Sequence, residues 1–489
     1  MNKMTRLLAL LLALVLLVGS LIGCSNTDDD DTTPGGNNGG EQSGNNGGGN
    51  DGPGEFIDYV STVKLDKNSG RAWCEATVKS EYRHDKEGNR VLVYTGYVDG
   101  DTTHFVVPTD VNPDGILKAR YLAINTPEST GQIEPWGKAA SNFTKSKLKE
   151  ATSIILESET DEWNFDSNGR NLVWVWYKTA EMADYRCLNL EILQVGLSRA
   201  SGISECIYAD VCQTLYTQAM RHKLYLHDTS AKDPDFFYGD AVPMTLKEVK
   251  VNVEKYVNTS VAFEGVVIFN DNNGTAYVEE FDEETGEYFG MQIFYGYSLS
   301  AGGKKVLSIG NRIVVAGSVQ YYEAGDTYQI SDIYYDAFNK NDPNNIRKLE
   351  EGHAAAYDEA TVSEITNGKL NINVTTVDEE TGEETSQLQS FDFGYLTLHS
   401  SKKLTNLTVE SVYTTNNGGK NDGAHSITCR DSAGNRITIR TAVLYDENNN
   451  PLPKSYFEGK VILEACGIID AYDGEYQLKV FHQDNIIFK

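Results

Sequence analysis

The run Gly310-Asn311-Arg312-Ile313-Val314-Val315-Ala316-Gly317, which leads on to Tyr328-Gln329-Ile330, has a counterpart far downstream. There Gly459-Lys460-Val461-Ile462-Leu463-Glu464-Ala465-Cys466-Gly467 leads on to Tyr476-Gln477-Leu478. Upstream of each run, Val261-Ala262-Phe263-Glu264-Gly265-Val266 parallels Leu407-Thr408-Val409-Glu410-Ser411-Val412. A glycine-bounded apolar run is a strand, and its recurrence implies one small β architecture built twice. From Met244 on, Asn/Gly/Asp turns such as Asn272-Asn273-Gly274 and Glu284-Thr285-Gly286 separate short strands. We expect two tandem five-stranded barrels, residues 244–345 and 356–489, with a helix from Leu246 to Tyr256 capping the first. Alternation alone also fits a β-sandwich.

Before Lys232-Asp233-Pro234-Asp235 the pattern is different. Strands are expected at Tyr94–Val98, His104–Val107, Leu117–Ile124, Ser153–Glu157 and Leu172–Tyr177. Helices are expected at Pro135–Ala151, Leu188–Leu197 and Ala209–Tyr225. Trp136, Ala139, Ala140, Phe143 and Leu148 share one face of the first helix. Strands followed by flanking helices make residues 56–232 an α+β domain, a five-stranded β-barrel with helices, with Phe56–Val93 as lead-in structure packed on it.

The N-terminus reads as a targeting segment, residues 1–23. Lys3 and Arg6 precede an apolar run from Leu7 to Val18 that is too short to span a bilayer comfortably. It ends at Leu21-Ile22-Gly23-Cys24, which resembles a bacterial lipobox. That resemblance implies lipid modification of Cys24 and an extracellular, membrane-anchored chain; an ordinary signal peptide or an anchor helix is the alternative. Residues 24–55 are rich in Asn, Gly and Asp and too polar to bury a core, so they read as a disordered tether. The other six cysteines show no zinc spacing; Cys206 with Cys212 and Cys429 with Cys466 could pair, or all six are free thiols.

With 42 Lys and Arg against 71 Asp and Glu, the formal charge is -29. Such a chain repels phosphates at long range, which excludes nucleic-acid binding by bulk electrostatics. Any activity on phosphates must come from a local cationic site, and is expected to be stronger at moderate salt than at very low salt.

Phosphodiester hydrolysis needs a cation on the phosphate, an oriented water with a base, and positive charge where negative charge grows. Three segments offer these groups. Asp99-Gly100-Asp101-Thr102 is a tight turn with two carboxylates. Arg120-Tyr121-Leu122-Ala123-Ile124-Asn125-Thr126-Pro127-Glu128 carries Arg120 on a strand, and its turn presents Asn125, the Thr126 carbonyl and Glu128. Asp166-Ser167-Asn168-Gly169-Arg170 presents a guanidinium, which can fork onto two phosphate oxygens. Alone, the first segment reads as an ordinary hairpin turn. His104, two residues past the first turn, is a lesser candidate for the site lining.

In this order, followed by Asn189-Leu190-Glu191 and Gln194-Val195-Gly196-Leu197, these segments resemble the staphylococcal nuclease (thermonuclease) family over about 130 residues. The resemblance implies an α+β nuclease domain, with a five-stranded OB-type β-barrel and helices. The two mainly-β barrels that follow it look like OB-folds. It implies that Asp101, Asn125 and the Thr126 carbonyl hold Ca²⁺, that Glu128 is the general base, and that Arg120 and Arg170 clamp the phosphate and stabilise the transition state. DNA and RNA are the implied substrates, with little sequence preference, and no protein partner is implied. Two departures stand out: Asn125 occupies a position where the family has Asp, and Ser167-Asn168 replaces Lys-Tyr. A catalytically weak or inactive surface protein that binds nucleic acid or cell wall is the competing reading.

Overall fold

The computed structural model describes residues 54–377, 384–416, 418–419 and 421–489. The expected targeting segment, Cys24 and nearly all of the tether lie outside the described residues.

The first barrel is closed by five strands. Trp73–Val78 pairs antiparallel with both Thr102–Val106 and Ser153–Glu157. Ile116–Tyr121 pairs antiparallel with Thr102–Val106 and parallel with Asn171–Lys178, and Ser153–Glu157 completes the ring. The lead-in is therefore not merely packed on the domain: Trp73–Val78 is one of its strands. Its alternation puts Cys74, Ala76 and Val78 inside. Asn171–Lys178 (NLVWVWYK) is apolar on both faces because both are covered, inside by the barrel and outside by the helix Leu188–Gln194, on which Ala209–Arg221 packs in turn. Fully buried Asn189 binds that helical layer to the barrel. Its Oδ1 accepts from Val175 N at 2.9 Å, and its Nδ2 donates to the Leu122 and Val173 carbonyls at 2.9 and 3.0 Å.

The strand expected to run from Leu117 to Ile124 stops at Tyr121. Ala123 adopts a left-handed conformation, φ 67°, and the chain resumes as the short Ile124–Asn125 bridge to Arg199–Ala200. Alternation does not reveal such a break, because both halves remain apolar.

The other two barrels repeat one design. Ser260–Asn270, Thr275–Asp282, Glu287–Phe294, Arg312–Tyr322 and Thr327–Ser331 form one; Ser401–Thr414, His425–Arg430, Arg436–Thr441, Val461–Tyr472 and Glu475–Val480 form the other. In each, the first strand pairs with the fourth and the third runs parallel to the fifth. The repeated glycines have a packing reason. A Cβ on Gly317 would sit 2.6 Å from the Ser331 carbonyl oxygen, and one on Gly467 would sit 2.5 Å from that of Lys479. A short helix with a Thr/Glu capping box precedes each barrel: Leu246–Val251, shorter than expected, and Val362–Asn367.

The two barrels are pressed together. A Cβ on Gly290 would lie 2.0 Å from backbone atoms of His399 and Ser400. Buried Glu279 accepts from Ala356 N (2.9 Å), Ser401 N (2.8 Å) and Ser401 Oγ (3.1 Å), and Phe269 stacks on Phe481 with centroids 3.6 Å apart. All six described cysteines are free thiols.

Candidate active site

The three sequence segments meet at one end of the first barrel. Thr102 and Arg120 are direct partners across adjacent strands, and Ala119 pairs with Asn171, the residue after Arg170. The Asp99–Thr102 turn is held from below. Gly100 is required by crowding, since a Cβ there would lie 2.8 Å from Ala140 Cβ and 2.9 Å from Thr126 Oγ1 and Cγ2. The Gly100 carbonyl accepts from Thr144 Oγ1 at 2.6 Å, so the helix Gly137–Glu150 grips the turn from its buried face.

Asp101 is almost fully buried. Its Oδ2 accepts from Thr126 N at 2.8 Å, and its Oδ1 accepts from Thr102 Oγ1 at 3.1 Å and pairs with Arg120. The other arm of the Arg120 guanidinium donates to Asn125 Oδ1 at 2.6 Å. Asp99 accepts from Asp101 N at 3.1 Å; burial raises its pKa, opposed by the nearby Arg120 and Arg170 charges. Burial likewise lowers the pKa of Arg120, with Asp99 acting in the opposite direction. Arg170 is fixed by Asp166 at 2.7 Å and reaches Thr102 Oγ1 at 3.4 Å. Glu128 is exposed at the rim, yet flanking walls desolvate its carboxyl and raise its pKa, reinforced by the charge on Asp99.

Sequence reasoning had not singled out several supports. Ser198 Oγ accepts from Asn125 N at 2.9 Å, and Thr144 shapes the floor. Their only trace in the sequence is chemical type, so contact alone reveals them. His104 lies opposite Lys118, two pairs further from the turn than Thr102. Burial, with Lys118 and Lys79 nearby, pushes its pKa down to about 4.

Among the described residues, no group of three or more His, Cys, Asp or Glu is placed to hold a metal. The oxygens that the resemblance assigns to an ion are mixed instead: the Asp101 carboxylate, the Asn125 amide oxygen and the Thr126 carbonyl. This all-oxygen set suits a hard cation such as Ca²⁺. The buried Thr126 hydroxyl beside it has no partner. The residues therefore fit the ion chemically, with Arg120 as the positive charge that now bridges Asp101 and Asn125.

The family model described as Staphylococcal nuclease homologue matches residues 118–226. The thermonuclease of Staphylococcus intermedius is 33% identical over 119 residues, 24% of this chain and 62% of that protein. The thermonuclease of Staphylococcus hyicus is 33% identical over 106 residues, 21% of this chain and 54% of that protein. The chain thus spans less than two thirds of either relative. It carries a staphylococcal nuclease-like domain, followed by two further five-stranded barrels. Asp99 and Asp101 precede the segment that the family model matches, and the barrel fold brings them to it.

Proposed function

We propose that the protein is a Ca²⁺-dependent nuclease, lipid-anchored through Cys24 on the extracellular face of a bacterial cell membrane, hydrolysing phosphodiester bonds of DNA and RNA with little sequence preference. The observation that carries this reading is the convergence of Arg120 and Arg170 on the Asp99–Thr102 turn, with Glu128 at the rim and sensitive to the charges of both arginines.

The chain's own residues supply most of the chemistry. Arg120 and Arg170 fork onto phosphoryl oxygens and meet the negative charge that grows in the transition state. Glu128, as carboxylate, takes a proton from the attacking water. Asp101, Asn125 and the Thr126 carbonyl would hold Ca²⁺, which supplies a fixed positive charge at the phosphate.

One observation favours the competing reading of a weak or inactive binding protein: Arg120 is already engaged by Asp101 and Asn125. Incubating the full mature chain and its Glu128→Ser variant with single- and double-stranded DNA and RNA, in Ca²⁺ or EDTA, separates the two. Digestion by wild type in Ca²⁺ only, lost in the variant, supports the nuclease; no digestion in Ca²⁺ supports the binding protein.

A further inference from the structure

The carboxylate assigned as base sits on an irregular segment, residues 126–136, between the Ile124–Asn125 bridge and the Gly137–Glu150 helix. A base on such a segment is only as well placed as the segment is rigid. Within the nuclease-like domain, Glu134 holds the backbone of Glu128 at both polar atoms. Glu134 N donates to the Glu128 carbonyl at 2.9 Å, and Glu128 N donates to Glu134 Oε2 at 3.2 Å. At the far end, Trp136 N donates to the buried Asp233 carboxylate at 2.5 Å. The tip is held from outside the domain. Asp332, just after the Thr327–Ser331 strand of the second barrel in the chain, donates its N–H to the Gly131 carbonyl at 2.6 Å, and its Oδ1 accepts from Ile133 N at 3.0 Å. A Cβ added to Gly296 of the same barrel would lie 3.8 Å from the Gly131 Cα, in ordinary van der Waals contact.

We infer that Asp332 is a positioning residue for Glu128, so that the barrel of residues 244–345 is a working part of the active site. The inference rests on the nuclease reading above. Three features support it. The two bonds form a pincer across Gly131 and Ile133, which a single chance contact does not make. Asp332 has a left-handed φ of 57°, a conformation that non-glycine residues rarely adopt. Its carboxyl is largely enclosed, and that burial raises its pKa to about 6.

The test uses the full chain and two variants that both tolerate the left-handed backbone. Asp332→Gly removes the acceptor, and Asp332→Asn keeps it. Amide hydrogen exchange is read over residues 129–136, and DNA cleavage is read as kcat and KM in Ca²⁺. Asp332→Gly is expected to speed exchange in that segment about tenfold. It is also expected to lower kcat about tenfold with KM within about twofold, while Asp332→Asn stays within about threefold of wild type in both. Unchanged exchange in Asp332→Gly, or faster exchange with unchanged kcat, overturns the inference. So does an Asn variant as impaired as the Gly variant. A wild-type chain that does not cleave DNA refutes the nuclease reading, and with it the catalytic role of Asp332. The exchange readout then separately decides whether the barrel holds the segment.

Discussion

Replacing Arg120 with alanine removes the cation from the Asp101 carboxylate. The Asp101 side chain is 3% exposed and that of Arg120 is 18% exposed, so little solvent screens the pair. Removing one partner of a buried ion pair costs about 3–5 kcal/mol, because the other charge stays buried without compensation. Asp101 keeps two donors, Thr126 N at 2.8 Å and Thr102 Oγ1 at 3.1 Å, which places the expected loss at the lower end, about 3 kcal/mol. With a urea slope of about 2 kcal/mol per molar, the midpoint falls by about 1.5 M. The fully buried Trp174 and Trp176 report unfolding of this barrel by fluorescence. The measurement is made in EDTA and repeated with saturating Ca²⁺. An ion held at about a hundred times its Kd adds about 2.7 kcal/mol. The variant is expected to gain more from it than wild type, since in wild type the ion competes with the guanidinium. Equal midpoints for variant and wild type in EDTA would refute the argument that Arg120 balances Asp101.

Glu128→Gln is expected to lower kcat by about 10²- to 10⁴-fold with circular dichroism unchanged. Asn125→Asp restores a second carboxylate and is expected to tighten Ca²⁺ binding about tenfold or more by calorimetry, since affinity at such sites follows ligand charge; no tightening rejects Asn125 as a ligand. Glu279→Ala leaves the Ser401 and Ala356 N–H groups without their acceptor and should cost about 2–4 kcal/mol in urea unfolding of the paired barrels; an unmoved midpoint means the carboxylate does not join them.

The candidate site was legible where chemistry demands particular side chains. Asp101, Arg120, Glu128 and Arg170 stand out because a tight turn, a strand end and a glycine turn each present a charged group. The paired barrels were legible through Gly317 and Gly467, where a strand passes too close for a side chain. What stayed hidden depends on contacts between distant segments. Trp73–Val78 alternates like any edge strand, and nothing local shows that it closes a barrel. The left-handed Ala123 lies inside an apolar run that reads as unbroken strand. Asp332 is one acid among 71 Asp and Glu, and only the fold places it against Gly131 and Ile133.

The contact between the two later barrels bears on how nucleic acid would reach this chain. In the first of them, Tyr277, Glu279 and Gly290 line one outer sheet face, and the second barrel covers that face so tightly that backbone meets backbone. That surface is closed to bases. Other tyrosines of the same barrel, such as Tyr297, Tyr321 and Tyr334, are exposed, and their π-faces suit stacking. Stacking on a strongly acidic protein still needs phosphate attraction from somewhere, and many of the cations near this barrel are already paired. Lys145 and Lys149 meet Glu323, Lys247 meets Asp282 and Glu284, and Arg312 meets Glu264 and Glu350. Arg120 and Arg170 have acidic partners as well, Asp101 and Asp166, but both guanidiniums converge on the Asp99–Thr102 turn. Substrate capture would then fall to the nuclease-like domain, and the contribution of the neighbouring barrel would be through Asp332 to the precision of Glu128.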